Sequence, residues 1–88
     1  MNVQKLVAWN VRRLRVARGL SQEALAVDAS IDRTYVSRLE RVLENPTIAV
    51  LDRIASALHA QITDLFRPPE RGERAPLPLR GGRRRKAS

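Results

Sequence analysis

Cysteine is absent from the 88 residues, which excludes a disulfide framework, a thiolate zinc site and a thiol nucleophile. Aromatic residues are nearly absent as well, with one Trp, one Tyr and one Phe making 3% of the chain. Few surfaces therefore exist on which unpaired bases could stack, which argues against single-strand or RNA recognition of that kind. The single histidine, His59, has no cysteine or carboxylate cluster beside it, so no metal or acid–base site assembles around it, and a helix-ending role fits it better. Ser21 has no base within reach in sequence and reads as a helix cap rather than a nucleophile. No apolar run approaches the roughly 20 residues of a membrane span. The opening MNVQKLVAWN lacks the charged start and continuous apolar centre of a signal peptide. The expectation is a cytoplasmic protein that is not an enzyme and takes no cofactor or metal.

What the chain has in excess is positive charge, a formal +8 at pH 7. Residues 1–66 hold nine Lys+Arg against seven Asp+Glu, whereas residues 67–88 hold eight against two. A nearly neutral body thus carries a strongly basic end, and an anionic partner follows, nucleic acid before membrane. The end, RPPERGERAPLPLRGGRRRKAS, contains four of the five prolines and three of the four glycines and has no apolar periodicity. It cannot bury enough surface to offset its ordering entropy, so a division into a folded unit, 1–66, and a disordered basic tail, 67–88, is expected. The RRRK run serves either as a solubilising tail or as a nonspecific attractor of DNA.

The most informative stretch is residues 22–41, QEALAVDASIDRTYVSRLER. Leu25, Ala26 and Ala29 share one helical face, and after Ser30 a new series starts with Ile31, Val36 and Leu39. Two helices of about two turns, joined by roughly three to four residues, match a helix-turn-helix. Asp32 is placed to cap the second of them with its carboxylate. At about 100° per residue, Tyr35, Val36 and Leu39 fall on one side, and Arg33, Thr34, Ser37, Arg38 and Arg41 on the other. Guanidiniums and small hydroxyls on an exposed helix face suit base edges and phosphates in a major groove.

The remainder fits around this pair. Residues 3–18 read as a first helix with the stripe Val3, Leu6, Val7, Val11 and Leu14, Asn10 lying off it, and Gly19 ending it. Trp9 serves either as a packing residue or as an interface anchor. Pro46 precedes a helix over 47–58 whose Ile48, Leu51, Ile54, Ala55 and Leu58 recur near every 3.6 residues. A short final helix would hold Ile62, Leu65 and Phe66. The fold class expected is all-α, five helices around one core.

Three words in order, NVRRLRVARGLSQEALA, IDRTYVSRLE and NPTIAVLDRIASAL followed by ITDLF, resemble the Cro-type phage-repressor family, the xenobiotic-response-element class of helix-turn-helix regulators with a lambda-repressor-like fold. The RTYVSRLE segment is also similar to controller proteins of restriction–modification systems. The resemblance implies that Asp32, Arg33, Thr34, Ser37 and Arg38 contact bases or adjacent backbone. It implies phosphate contacts for Gln22, Tyr35 and Asn45. With Arg41, and with Asn10 and Thr47 at the first and fourth helices, these make the expected backbone set; Gln22 would alternatively brace a side chain of the third helix. Arg15 and Glu40 occupy the positions of a partly buried ion pair. Burying Glu40 unpaired would be costly on physical grounds too. Relatives dimerise through their C-terminal helices, here Ile62, Leu65 and Phe66. The implied function is a sequence-specific transcriptional regulator, bacterial or phage and nucleoid-associated, that binds a (pseudo)palindromic operator in double-stranded DNA as a homodimer.

The chain departs from the pattern where relatives carry glycine. Ser30, Val42 and His59 stand at those positions, and a β-branched Val takes a left-handed backbone badly. The third helix is therefore expected to end differently from the family pattern. Ala24 and Tyr35 forgo the reciprocal half of a capping box at their helices. A rival reading from another class is an antitoxin or partner-controlled module that binds a second protein, with Trp9 and the APLPL segment as its hints.

Overall fold

The computed structural model describes residues 2–69. Four α-helices, α1 (Val3–Ala17), α2 (Gln22–Ala29), α3 (Arg33–Glu40) and α4 (Ile48–Ala57), are followed by a 3₁₀ turn, Ile62–Phe66. The expected fifth helix is thus a five-residue 3₁₀ turn. Most of the basic tail lies outside the described residues. Among those described there is no strand, and no helix is long and apolar enough to cross a membrane.

Local chemistry sets the helix starts. Asn2, Ser21 and Thr47 have extended backbones, and their side-chain oxygens accept the Lys5, Ala24 and Val50 N–H groups at 2.8, 2.9 and 3.1 Å. Thr47 is therefore the cap of α4, and the helix proper starts one residue later than the sequence pattern placed it. Asp32 breaks the series. It occupies the cap position of α3 with an extended backbone, yet its exposed carboxylate makes no bond to the first turn.

All four α-helices end alike. A residue with positive φ follows each one: Gly19 at 69°, Ser30 at 60°, Val42 at 63° and His59 at 54°. In each case the next N–H reaches back five residues, as Leu43 N–H does to Arg38 C=O at 2.8 Å, the signature of a Schellman motif. The expectation that α3 would end differently is overturned. Val42 adopts the left-handed backbone despite its β-branch, because its own N–H bonds Leu39 C=O at 3.0 Å and the following N–H completes the closure. That conformation costs an L-residue about 1–2 kcal/mol, against roughly 0.5–1 kcal/mol of extra chain entropy for glycine. Val42→Gly should therefore stabilise the domain by about 0.5–1 kcal/mol, read as a rise in the thermal midpoint. A lower midpoint would show that the packing of the Val42 side chain outweighs the strain.

The core is drawn from every element. Val7 and Val11 of α1, Leu25, Ala26 and Ala29 of α2, Val36 and Leu39 of α3, and Leu51, Ile54 and Ala55 of α4 are buried together with Leu58 and Leu65. α2 packs on α3 and α4, and the 3₁₀ turn packs on α1 and α4. Two members of the expected apolar stripes are instead exposed, Val3 at the start of α1 and Ile48 at the start of α4. Both sit in the first turn of their helix, ahead of the turns that meet a neighbour.

Candidate nucleic-acid interface

Seating α3 on Val36 and Leu39 turns its opposite face outward. Arg33, Thr34, Arg38 and Arg41 are exposed along it, with Asp32 at its start and Ser37 half-buried at its flank. Five of these six side chains are cations or hydroxyl donors on one surface. Tyr35 is half-buried, and its hydroxyl is held above the ordinary tyrosine value, first by burial and then by the negative charge of Glu44. It therefore stays protonated at neutral pH and able to donate. Asn45 and Thr47 are exposed just beyond the helix.

The helix is fixed from behind by an ion pair. The Arg15 guanidinium meets Glu40 as a fork, Nε to Oε2 at 2.7 Å and Nη2 to Oε1 at 2.9 Å, while Nη1 donates to Leu20 C=O at 2.8 Å. Both side chains are only 4% exposed. Gln22 Nε2 donates to Glu40 Oε1 at 3.2 Å, so the first residue of α2 braces the last residue of α3. One carboxylate thus ties together α1, the start of α2 and α3. At the turn between α2 and α3, Arg53 Nη2 donates to Ser30 C=O at 3.2 Å.

On the outer face the ion pairs differ in quality. Arg33 Nε lies 3.9 Å from Glu23 Oε1, both side chains being more than half exposed, a contact that adds little. Arg38 is held firmly: Nε to Glu44 Oε2 at 2.8 Å and Nη2 to Leu43 C=O at 3.1 Å. The sequence reading missed Glu44. It lies six residues beyond Arg38 and past the helix end, where the three-or-four-residue spacing of helical pairs does not apply.

Two sequence-based assignments are corrected. Asn10 is fully buried, so it has no surface to offer a DNA backbone. Its Nδ2 lies 3.1 Å from Leu6 C=O, 3.0 Å from Leu65 C=O and 2.8 Å from Arg67 C=O, and its Oδ1 accepts from Arg13 Nη2 at 3.1 Å. Asn10 clamps the C-terminal turn onto α1. Leu65, assigned to a dimer surface, is fully buried inside its own chain, because the 3₁₀ turn folds back between α1 and α4. Ile62 is half-buried against the core and Phe66 is exposed. Trp9 is half-buried, with the Arg13 and Arg67 guanidinium carbons 5.4 and 5.6 Å from its ring centre, within cation–π range. Among the described residues no group of three His, Asp or Glu converges as a metal site would require.

Two short helices joined by a tight turn, the second buried on its apolar side and presenting arginines and hydroxyls on the other, define a DNA-binding module. The chain belongs to the helix-turn-helix domain family, whose model matches residues 6–66, and is a DNA-binding transcriptional regulator of the xenobiotic-response-element class. It is similar to a hypothetical transcription factor of Neisseria meningitidis, 38% identical over 69 residues that cover 78% of this chain and 65% of that protein. The crystal structure of the Neisseria factor superposes with a TM-score of 0.75 over 77% of this chain and 78% of that one. It also resembles the restriction–modification controller protein C.AhdI of Aeromonas hydrophila, 36% identical, TM-score 0.70, covering 72% of this chain and 96% of that one. A third similar structure, the controller C.Esp1396I tetramer in complex with its natural 35-base-pair operator, has a TM-score of 0.70 at 32% identity, covering 75% of this chain and 87% of that one.

Proposed function

We propose that two copies of this chain bind a (pseudo)palindromic operator, each setting α3 into the major groove of one half-site. The observation that carries this reading is the outward face of α3, where Arg33, Thr34 and Arg38 are exposed above a rigidly seated inner face. Asp32, Arg33, Thr34, Ser37 and Arg38 face the base edges. Gln22, Tyr35, Arg41, Asn45 and Thr47 hold the phosphates to either side. That the similar controller C.Esp1396I forms a tetramer in complex with its natural operator supports an operator-binding role. With Leu65 committed to the core, Ile62 and Phe66 are what the C-terminal turn leaves for a second copy. The basic stretch 67–88 adds attraction for phosphates of any sequence, because counterion release does not depend on the bases.

Selection from random duplexes tests the reading directly. A two-fold symmetric binding chain recovers two inverted half-sites with centres one helical turn, about 34 Å, apart. Sedimentation of the recovered duplex with the protein should give two chains per site, or a multiple of two. Recovery of no preferred sequence, or of one asymmetric half-site bound by one chain, would overturn it.

A further inference from the structure

We propose that Glu44 is a specificity-determining positioning residue, which fixes the Arg38 guanidinium so that its end-on edge is presented to a base pair. The proposal rests on the operator reading above and assigns a role to a residue outside α3.

The geometry divides the guanidinium into two edges. Nε–H is taken by Glu44 Oε2 at 2.8 Å, and one Nη2–H by Leu43 C=O at 3.1 Å. Those two donors form the side-on edge of the planar group. The other Nη2–H and one Nη1–H point away along the end-on edge, as two parallel donors with the spacing that suits guanine O6 and N7. Arginine otherwise carries about 2 kcal/mol of rotamer entropy, which a base contact must overcome. Here the ordering is done before DNA arrives.

Stability does not account for the pair. The side chains are 46% and 28% exposed, and ion pairs in such settings contribute about 0–1 kcal/mol. The Arg15–Glu40 fork, at 4% exposure on each side, is the structural pair of this domain. A carboxylate on the DNA-facing side has a drawback as well, since it repels phosphates within a Debye length of about 8 Å. Orientation of Arg38 offsets that drawback. The α3 end holds the partners in place: the bond from Leu43 N–H to Arg38 C=O at 2.8 Å brings Leu43 and Glu44 back beside Arg38.

Two substitutions separate orientation from charge. Glu44→Ala removes the acceptor; Glu44→Gln keeps an oxygen for Nε–H without the charge. Selection from random duplexes is run with the full chain and both variants, followed by titration of the recovered duplex and of a scrambled duplex. For Glu44→Ala, discrimination at one base pair per half-site should fall about 3- to 30-fold, the ceiling being one arginine's rotamer entropy at 1.4 kcal/mol per tenfold. Binding to scrambled duplex should rise, because a phosphate-repelling charge is gone. Glu44→Gln should keep most of the base preference and show the same rise. Arg38→Ala should lose preference at that same base pair, and adding Glu44→Ala to it should change the preference no further. If the unaltered chain selects a site and Glu44→Ala selects the same site with undiminished preference, the positioning role is overturned while the operator reading stands. A loss spread evenly over all base pairs also overturns it. If the unaltered chain selects nothing, the operator reading itself has failed.

Discussion

Glu40→Ala is expected to remove about 3–5 kcal/mol of folding stability, because it leaves the Arg15 guanidinium buried without its counter-charge. The two side chains are 4% exposed and share a two-pronged contact at 2.7 and 2.9 Å, so water cannot take over the lost role. Domains are stable by roughly 0.05–0.15 kcal/mol per residue. A loss of this size therefore consumes much of what a chain this small has. At about 4–8 °C per kcal/mol, the thermal midpoint should drop by more than about 12 °C. Lys5→Ala, an exposed position on α1, is the control. Replacing both partners, Arg15→Leu with Glu40→Leu, should recover most of the loss, because the desolvation of two charges is then also removed. Equal midpoints for Glu40→Ala and Lys5→Ala would show that the pair contributes nothing to the fold.

The second large effect lies at the C-terminal turn. Leu65→Ala should cost about 2–5 kcal/mol, the range for emptying a closed core position, because Leu65 is fully buried with α1 and α4 around it. Phe66→Ala, at an exposed neighbour, should cost less than about 0.5 kcal/mol, as surface changes usually do. Denaturant titration at two protein concentrations checks both. Asn10 makes the same point through hydrogen bonds: its Nδ2 lies 3.0 and 2.8 Å from the Leu65 and Arg67 carbonyls, and these hold the turn in place. Were Leu65 part of an interface between copies, Leu65→Ala would leave the isolated chain's stability unchanged and shift only its association. That result would return the turn to the surface.

The helix-turn-helix could be read from the chain because its signals are local. The change of apolar phase at Ser30, the cap chemistry of Ser21, and the 3.6-residue recurrence through α4 each depend on residues within a turn or two. The split between a nearly neutral body and a basic end is a matter of counting. The outward set on α3 follows from the same periodicity, since burying Val36 and Leu39 leaves Arg33, Thr34 and Arg38 outside.

What local patterns did not decide was where the chain ends meet. Asn10 looks like a surface residue on a helical wheel, but its bonds run to carbonyls 55 and 57 positions away. Leu65 reads as a spare apolar residue near the end of the folded part until the 3₁₀ turn is seen closing over α1 and α4. Val42 violates a backbone preference that is valid on average, and the closure of α3 through Leu39 and Arg38 overrides it. Asp32 has the right residue type for a cap, yet its carboxylate makes no bond to the helix. The amino-acid sequence by itself determined the four α-helices, the orientation of α3 and the excess of positive charge, because spacing and charge act between near neighbours. Only the tertiary structure decided that Asn10 and Leu65 face inward and that Glu44 orients Arg38, because burial and hydrogen-bond direction are set by whichever distant segment arrives opposite.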